Sequence, residues 1–230
     1  MVTTDVATRK GKGEVRRGRR PRLSRDAVLT VAAEMIARQP AAPFSLNALA
    51  RELGASPMAL YTYFGSSHDL HQALTEHMLR ELVVEMDAAM PPLDAIAGWC
   101  HATRAFFLRY PQLIHLLIWE GGGASIAWFN KSLPLVDALR RTGLDGEDLA
   151  RATLWVWGDI MGAIHNEISN RAAPQVITPD QVARMEPALH APVTALLAMV
   201  GGDGHFDSFF DYQVARLLDA IAALTNHQRT

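Results

Sequence analysis

The stretch from Ser45 to Phe64, SLNALARELGASPMALYTYF, decides the fold that this chain is predicted to adopt. Leu49 and Leu53 lie one helical turn apart and mark the apolar face of a short helix. Ser45 stands where a hydroxyl can accept an unpaired backbone N–H at the helix start. Gly54 follows, and glycine accepts the left-handed conformation in which helices commonly end. We therefore predict a short helix between Ser45 and Gly54.

A second, shorter helix is predicted directly after this turn. Ser56 can cap it, and Pro57 suits its first turn because the missing N–H costs nothing there. Leu60 and Phe64 lie one turn apart and should pack against the first helix. Such a pair, with a second helix poor in charge, is typical of a helix-turn-helix that enters the DNA major groove. The side chains expected to point outward are Pro57, Met58, Ala59, Thr62 and Tyr63.

The alternative is an ordinary helical hairpin packed in a core. It accounts for the leucines equally well. It accounts less well for the placement of two of the four tyrosines, Tyr61 and Tyr63, within three residues of each other.

The segment Ser24–Leu74 resembles the DNA-binding domain of the TetR family of bacterial transcriptional regulators. The resemblance lies in Ala48-Leu49-Ala50, Leu53-Gly54-Ala55-Ser56, Leu60-Tyr61-x-Tyr63-Phe64, and Leu70 after a short polar break. Many members of that family carry a phosphate-binding lysine just after the Tyr-Phe pair. This chain has Ser67 there, a residue that can donate a hydrogen bond but adds no charge.

The resemblance implies a homodimer that binds a palindromic operator in double-stranded DNA and is released by a small-molecule effector. We assign Pro57, Met58, Ala59 and Thr62 to base edges and thymine methyl groups. We assign Tyr61, Tyr63, Ser45, Ser56 and Ser67 to phosphates. The second helix lacks Arg, Asn and Gln, the usual bidentate readers of bases, so apolar contacts and DNA shape should contribute to specificity.

Charge is distributed unevenly along the chain. The whole chain has 22 basic and 24 acidic residues, but residues 1–25 hold nine basic residues against Asp5 and Glu14. We interpret residues 1–23 as a disordered basic arm that contacts DNA, with Arg19, Arg20 and Arg22 nearest the helix-turn-helix. A solubilising tail is the alternative.

Composition excludes several other classes of protein. Apolar residues make up 49% of the chain, which is enough for a sizeable core, and the single cysteine, Cys100, cannot form an intramolecular disulfide. We find no secretory signal, no membrane-spanning run and no phosphate-binding or nucleophile motif, so we expect a cytoplasmic protein that is not an enzyme and has no cofactor. His68, His71 and His77 suggest a metal site only weakly, since exposed helix faces commonly carry histidine.

Helical spacing recurs along the rest of the chain and predicts an all-α protein. We divide it into the arm, a three-helix helix-turn-helix domain over residues 24–66, and a helical ligand-sensing and dimerisation domain over residues 67–230.

A helix should run from near Ser67 to about Ala89, and Pro134 should kink or split a later one. The apolar stripe from Phe206 to Leu224 fits either the dimer interface or an internal core.

All five tryptophans lie between positions 99 and 157. Large aromatic residues line apolar pockets, although aromatic residues at helical spacing are more often simply packed. We expect a largely apolar ligand pocket, and the residues predicted to contact the ligand are Trp99, Phe106, Phe107, Trp119, Trp128, Trp155, Asp159, Met161 and His165.

The predicted function is therefore a ligand-released transcriptional repressor. One alternative is a helical ligand-binding or enzymatic protein whose N-terminal hairpin is only structural. Another is a DNA-binding dimer without a small ligand, in which the aromatic residues all form core.

Overall fold

The structure is a computed structural model that describes residues 23–40, 42–84, 87, 89–114, 126–172 and 177–227. These residues are helical or lie in turns and loops, and they contain no strand, which confirms the all-α prediction. In chain order the helices are α1 (Arg25–Arg38), α2 (Leu46–Glu52), α3 (Pro57–Leu60), α4 (Ser67–Met78), a 3-10 turn (Leu79–Glu81), α5 (Pro92–Arg109), α6 (Ile126–Arg141), α7 (Gly146–Ala172), α8 (Pro179–Ala183), α9 (Pro187–Val200) and α10 (His205–His227).

The first three helices begin at serine caps. The hydroxyl oxygens of Ser24, Ser45 and Ser56 each accept the backbone N–H three residues later, which satisfies a donor that the helix leaves unpaired. Leu60 and Phe64 are buried as predicted, and they join a core that also holds residues of α1, α2 and α4. This arrangement fixes how α3 is presented at the surface.

The turn between α2 and α3 requires a glycine. Gly54 has φ of +62°, a conformation that costs a side-chain-bearing residue energy. The N–H of the next residue, Ala55, then donates to the carbonyl of Ala50 at 2.9 Å. The predicted role of Gly54 is thus confirmed.

The helix predicted from Ser67 to Ala89 is shorter than expected. α4 ends at Met78, the 3-10 turn follows, and Leu82 has an extended conformation with ψ of 100°. Two features explain the early end. Leu79 and Leu82 both become buried, and the ammonium group of Lys131 on α6 donates to the carbonyls of Arg80 and Leu82 at 3.3 and 2.6 Å.

The second domain is built around α5, which packs against α6, α7 and α10. Helix α6 continues unbroken through Pro134, so the proline does not split it. The apolar stripe of α10 faces inward, where Phe210, Val214, Leu217 and Ile221 are buried. The middle of the stripe therefore packs in the internal core, whereas Leu224 at its end is exposed.

An ion-pair cluster with a buried centre, formed by Arg104 and Glu167, joins three of these helices. Arg104 on α5 donates two hydrogen bonds of 2.7 Å to the carboxylate of Glu167 on α7, and a third of 2.6 Å to Asp207 on α10. Arg171, one turn after Glu167, donates to the same carboxylate at 2.9 Å. These pairs raise the pKa of Arg104 and lower the pKa of Asp207. The cluster therefore fixes α5, α7 and α10 relative to one another.

Candidate DNA-binding surface and ligand pocket

Helix α3 and the turn that follows it present a mostly apolar outer surface. The side chain of Met58 is 73% exposed, and Pro57, Tyr61 and Thr62 are also exposed. Ala59 is half-buried. Since Leu60 anchors the inner side, the four exposed residues point away from the domain core.

Three of the serines predicted to contact phosphate lie at helix starts. Ser45 and Ser56 cap α2 and α3 through their hydroxyl oxygens, which leaves each hydroxyl hydrogen available to donate outward. Ser67 is the first residue of α4, and its neighbour Ser66 is the cap, accepting the N–H of Asp69 at 3.0 Å. The structure therefore places serine hydroxyls at the starts of α2, α3 and α4.

Tyr63 does not point outward, contrary to the sequence-based prediction. Its ring packs partly against the core, and its hydroxyl donates to the backbone carbonyl of Leu23 at 2.8 Å. In this structure the only hydroxyl hydrogen of Tyr63 is used within the chain and is not directed to the outer surface for the predicted phosphate contact. Tyr63 instead holds the chain entering α1 against α3.

The helix-turn-helix domain itself carries no net charge. Residues 23–66 contain three basic residues, Arg25, Arg38 and Arg51, which equal in number the three acidic ones. Arg38 also pairs with Glu52 at 2.8 Å. The predicted arm residues Arg19, Arg20 and Arg22 lie outside the described residues.

An aromatic cluster occupies the centre of the second domain. The ring of Trp128 on α6 lies 5.9 Å from Trp99, 6.0 Å from Phe107 and 6.4 Å from Trp157, measured between centroids. Trp99, Phe107 and Trp128 are buried, as are Phe106 and Met161. The structure thus brings five of the predicted ligand residues into the core of this domain.

The remaining predicted ligand residues are placed differently. Trp155 and His165 are half-buried on α7, and Trp119 lies outside the described residues. Asp159 is exposed, so the structure does not bring it into the buried cluster.

Sequence reasoning missed two polar groups of the cluster. The indole Nε1 of Trp157 and the hydroxyl of Thr103 are buried, and neither has a hydrogen-bond partner among the described residues. Thr103 lies on α5 one turn from both Trp99 and Phe107, so the three share a face. No sequence pattern predicts that the N–H of Trp157 lacks a hydrogen-bond partner. Only the packing of the folded domain distinguishes it from the other tryptophans.

Two sets of hydrogen bonds join α5 and α6 to segments nearer the N-terminus. The indole N–H of Trp99 donates to the carbonyl of Lys131 at 3.0 Å, and the ammonium group of Lys131 holds the segment after α4. The side-chain amide of Gln112 donates to the carbonyls of Gln39 and Pro40, both at 3.1 Å, just after α1. Lys131 therefore links the aromatic cluster to the segment after α4, and Gln112 separately ties the chain after α5 to the segment after α1.

The lone cysteine is not a reactive thiol. Cys100 is buried on α5, and burial raises the pKa of its thiol to about 12.

In the described part of the chain, no three His, Cys, Asp or Glu residues are arranged to hold a metal ion. No helix there has the length and apolarity needed to cross a membrane.

Comparisons with known proteins agree with this geometry. Residues 28–74 match the family model described as bacterial regulatory proteins, tetR family. The HTH-type transcriptional repressor SCO4008 of Streptomyces coelicolor is 26% identical over 103 residues, which are 45% of this chain and 52% of that protein. The chain thus spans about half the length of this relative. The HTH-type transcriptional repressor DrrR1 of Streptomyces coeruleorubidus is 23% identical over 93% of this chain and 82% of its own length.

Solved structures share the fold over almost the whole chain. The TetR family protein ActR of Streptomyces coelicolor, in complex with actinorhodin, has a TM-score of 0.69 at 17% identity, covering 88% of this chain and 97% of its own. BioQ with its double-stranded DNA operator has a TM-score of 0.63 at 22% identity, covering 88% and 99%. Residues 28–74 are therefore similar to the helix-turn-helix domain of the tetR family of bacterial regulatory proteins, and the chain shares the fold of these solved structures.

Proposed function

We propose that this chain is a homodimeric, sequence-specific DNA-binding repressor that a small, largely apolar ligand releases from its operator. The observation that carries the proposal is the display of Met58 and its neighbours on α3, a short helix anchored by buried Leu60 and free of charge. Helices that read DNA must fit the major groove and present side chains to base edges. The repressor relatives support the same function, and such a protein acts in the cytoplasm.

Contacts with bases are assigned to the exposed face of α3. Met58, Pro57 and Ala59 offer apolar surface suited to thymine methyl groups, and Thr62 offers both a methyl group and a hydroxyl. The hydroxyls of Tyr61, Ser45, Ser56 and Ser67 would donate to phosphate oxygens. Each of the two cap serines can do so without giving up its cap, because the cap uses only the oxygen.

The basic arm would supply the electrostatic attraction. The helix-turn-helix domain has no net charge of its own, whereas residues 1–22 carry eight basic residues and two acidic ones. Phosphate contacts by Lys and Arg supply most of the sequence-independent affinity for DNA. Arg19, Arg20 and Arg22 are closest in sequence to the first helix and are the proposed phosphate or minor-groove contacts.

The dimer would form through the outer faces of α7 and α10. Gly158 and Gly162, four residues apart on α7, are exposed, and a Cβ added at either would meet no neighbouring atom. Tyr212 and Arg216 form a matching exposed stripe on α10. A small-residue face allows another helix to approach closely, and a two-fold dimer would place the two α3 helices in successive major grooves about 34–36 Å apart.

The ligand would bind in the aromatic cluster. Ligand pockets combine apolar walls with a few polar groups that fix orientation. Here Trp99, Phe107 and Trp128 would supply the walls, and the indole N–H of Trp157 and the hydroxyl of Thr103 would supply the polar contacts. Because an indole N–H only donates, the ligand should carry an acceptor such as a carbonyl oxygen.

Release from DNA would follow from the bonds made by Lys131. A ligand that displaces Trp99 or Trp128 must also move the backbone of α6 near Lys131, which holds the segment after α4. The ligand can lower the affinity for DNA only to the extent that it binds the released shape of the dimer more tightly than the DNA-bound shape. Such a difference in binding free energy is typically about 1–3 kcal/mol.

Gel shift and fluorescence anisotropy with the DNA upstream of the gene test the DNA-binding part. Met58→Ala should weaken specific binding by roughly 5- to 30-fold, the equivalent of about 1–2 kcal/mol for the apolar surface of the side chain that DNA would bury. Leu133→Ala, a change of another exposed apolar residue on α6, serves as the matched control and should have no effect. A well-folded dimer that binds no upstream fragment would favour the alternative in which the N-terminal hairpin is only structural.

A compound screen tests the ligand part. Aromatic compounds that carry a carbonyl group should displace labelled operator DNA, and Trp157→Phe should weaken their effect while leaving DNA affinity unchanged. That substitution keeps an aromatic ring and removes only the N–H. A DNA-binding dimer that no compound releases would favour the alternative in which the aromatic residues form only core.

A further inference from the structure

A groove of about 630 Å³ lies between α7, α9 and the start of α10. Small-molecule sites are commonly clefts of about 300–1,000 Å³ with largely apolar walls. The apolar lining of this groove comes from Leu196, Met199 and Val200 of α9, each at least two-fifths exposed, and from Phe206 and Phe209 of α10. The groove therefore has the size and the apolar surface of a small-molecule site.

Amide groups without hydrogen-bond acceptors border the groove. The side chain of Asn170 donates to the backbone oxygen of Asn166 at 2.8 Å and to its side-chain oxygen at 2.9 Å. The N–H groups of the Asn166 amide remain, and within the described part of the chain they donate to no acceptor. The half-buried amide of Gln213 on α10 makes no hydrogen bond to any described residue. The border of the groove therefore offers N–H donors to a bound molecule.

His205 provides an acceptor in the same groove. Its Nδ1 atom lies 3.2 Å from the carbonyl oxygen of Gly202, and a carbonyl oxygen only accepts, so Nδ1 carries the proton. In the neutral ring, Nε2 then has a lone pair that can accept a hydrogen bond. The ring also stacks on that of Phe206 at a centroid distance of 3.8 Å, which fixes its plane. Because His205 lines the groove, a hydroxyl group bound there has an acceptor.

Charge is balanced inside the groove. Glu167 and Arg171 both line it, and the buried Glu167 carboxylate accepts hydrogen bonds from Arg104 and Arg171. Arg104 also pairs with Asp207, so two guanidinium groups face two carboxylates. The guanidinium of Arg171 lies 4.6 Å from the ring centroid of Phe206 and adds a flat face to the lining. A charged ligand would have to compete with these pairs, whereas an uncharged ligand leaves them intact.

An apolar protein surface fits this groove poorly. It would bury the amides of Asn166 and Gln213 and the Nε2 atom of His205 without partners, and a buried polar group that lacks its hydrogen bond costs free energy. A small molecule with polar groups at its edge can pair with these atoms while its rings cover the apolar lining. The lining, the unpaired donors and acceptor, and the balanced charge together favour an uncharged, mainly aromatic molecule.

We propose that this groove is a second small-molecule site, which binds an uncharged aromatic compound carrying a hydroxyl group and a carbonyl group. The hydroxyl donates to Nε2 of His205, and the carbonyl oxygen accepts from the Asn166 amide. The rings pack against Phe206 and Phe209. The site goes beyond the proposed function, because the described residues that line the groove include none of the aromatic cluster around Trp128.

Photo-crosslinking of the full-length protein tests the position of the site. The probe is para-(hydroxymethyl)benzophenone, an uncharged two-ring compound with one carbonyl and one hydroxyl group. Under near-ultraviolet light its carbonyl takes a hydrogen from a nearby C–H group and the two carbon atoms then join, so peptide mass spectrometry reports where the probe was bound. Position matters because the aromatic cluster is also proposed to bind carbonyl-bearing aromatic compounds. Saturable labelling should appear on the tryptic peptide 185–216, which contains Met199 and Phe209 but none of the tryptophans.

Substitutions test whether the groove itself holds the probe. Leu196→Trp overfills the apolar lining and should reduce labelling of peptide 185–216 at least about tenfold. Leu133→Trp, at an exposed leucine of α6, is the matched control and should leave labelling unchanged. Trp157→Phe in the aromatic cluster should also leave it unchanged. Circular dichroism of each variant checks that the helices are intact.

A further variant tests the assigned hydrogen bond. His205→Phe keeps an aromatic ring and removes the acceptor, so the dissociation constant of the probe, read from the concentration dependence of labelling, should rise roughly 2- to 12-fold. Benzophenone lacks the hydroxyl group and should show no such change. An equal response of this variant to both compounds would overturn the ligand class proposed for the groove.

The remaining outcomes separate this inference from the proposed function. No saturable labelling, labelling only of peptides that contain Trp128 or Trp157, or labelling of peptide 185–216 that Leu196→Trp leaves unchanged would each overturn the inference. Labelling that appears only after dilution of the dimer to monomer would also overturn it, since a second copy then occupies the groove. None of these results bears on binding of operator DNA, which gel shift measures separately. A protein that binds no DNA and is labelled in the groove supports the inference while contradicting the function.

Discussion

Replacing Glu167 with glutamine tests whether the buried ion-pair cluster holds the second domain together. The Glu167 side chain is 5% exposed and accepts hydrogen bonds from Arg104 and Arg171. Removing one partner of a buried pair costs about 3–5 kcal/mol, mainly because the other charge is left uncompensated. The Gln amide keeps one acceptor oxygen, and Arg104 keeps Asp207 at 2.6 Å. We therefore expect Glu167→Gln to cost about 3 kcal/mol of unfolding free energy, at the lower end of that range.

Thermal and urea unfolding, followed by circular dichroism, measure this cost. For a chain of this length, 1 kcal/mol corresponds to about 2–4 °C, so the midpoint should fall by about 6–12 °C. All samples must have the same protein concentration, because dimer formation itself shifts the midpoint. The matched control is Glu147→Gln on the same helix, which breaks the pair with Arg151 at 2.6 Å, where Glu147 is 77% exposed. That change should lower the midpoint by no more than about 2 °C, since exposed pairs contribute less than about 1 kcal/mol.

Equal effects of the two substitutions would refute the reasoning, because they would mean that the buried pair contributes no more than an exposed one. A double-mutant cycle with Arg104→Met sharpens the result. If the pair acts as a unit, the double variant should be more stable than the sum of the single effects predicts. Strict additivity would show that each residue contributes only through its own packing.

Three further predictions follow from the charge, the hydrogen bonds and the pKa values described above. Deleting residues 1–22 should weaken DNA binding and reduce the salt slope by about 0.9 for each phosphate contact removed; an unchanged slope would exclude a phosphate role for the arm. Tyr63→Phe should lower the free energy of unfolding, measured by urea titration, by about 1 kcal/mol because the hydrogen bond to Leu23 is lost. Tyr61→Phe should instead lower DNA affinity and leave stability unchanged. The reverse pattern would contradict the orientations assigned to the two side chains. With its pKa raised to about 12, Cys100 should resist iodoacetamide at pH 8 until denaturant is added, and rapid reaction of the native protein would disprove its burial.

The same pKa value fixes the sign of a pH effect at Cys100. Burial favours the neutral thiol, so this group's contribution to stability is complete below the thiol's unfolded pKa of about 8.5. It is lost as the pH rises from there toward the folded value of about 12. Unfolding experiments between pH 8 and pH 11 should therefore show a decline that Cys100→Ala lacks.

Local sequence determined the elements of the N-terminal domain. The serine caps before α2 and α3, the turn at Gly54 and the burial of Leu60 and Phe64 were all predictable, because each depends on residues within one or two helical turns. The charge of the arm and the cluster of tryptophans were visible in the same way. The apolar stripe of α10 was also recognised, although not what it packs against.

Tertiary structure decided everything that depends on distant partners. Tyr63 turns inward because the Leu23 carbonyl lies 40 residues away in sequence and 2.8 Å away in space. α4 ends early because Lys131, about 50 residues later, takes the carbonyls that a longer helix would have used. The partners of Arg104 lie 63 and 103 residues along the chain, and no helical period links them. Helix formation, capping and amphipathic patterning are short-range effects, whereas hydrogen-bond choice and side-chain direction depend on which elements meet in the folded core.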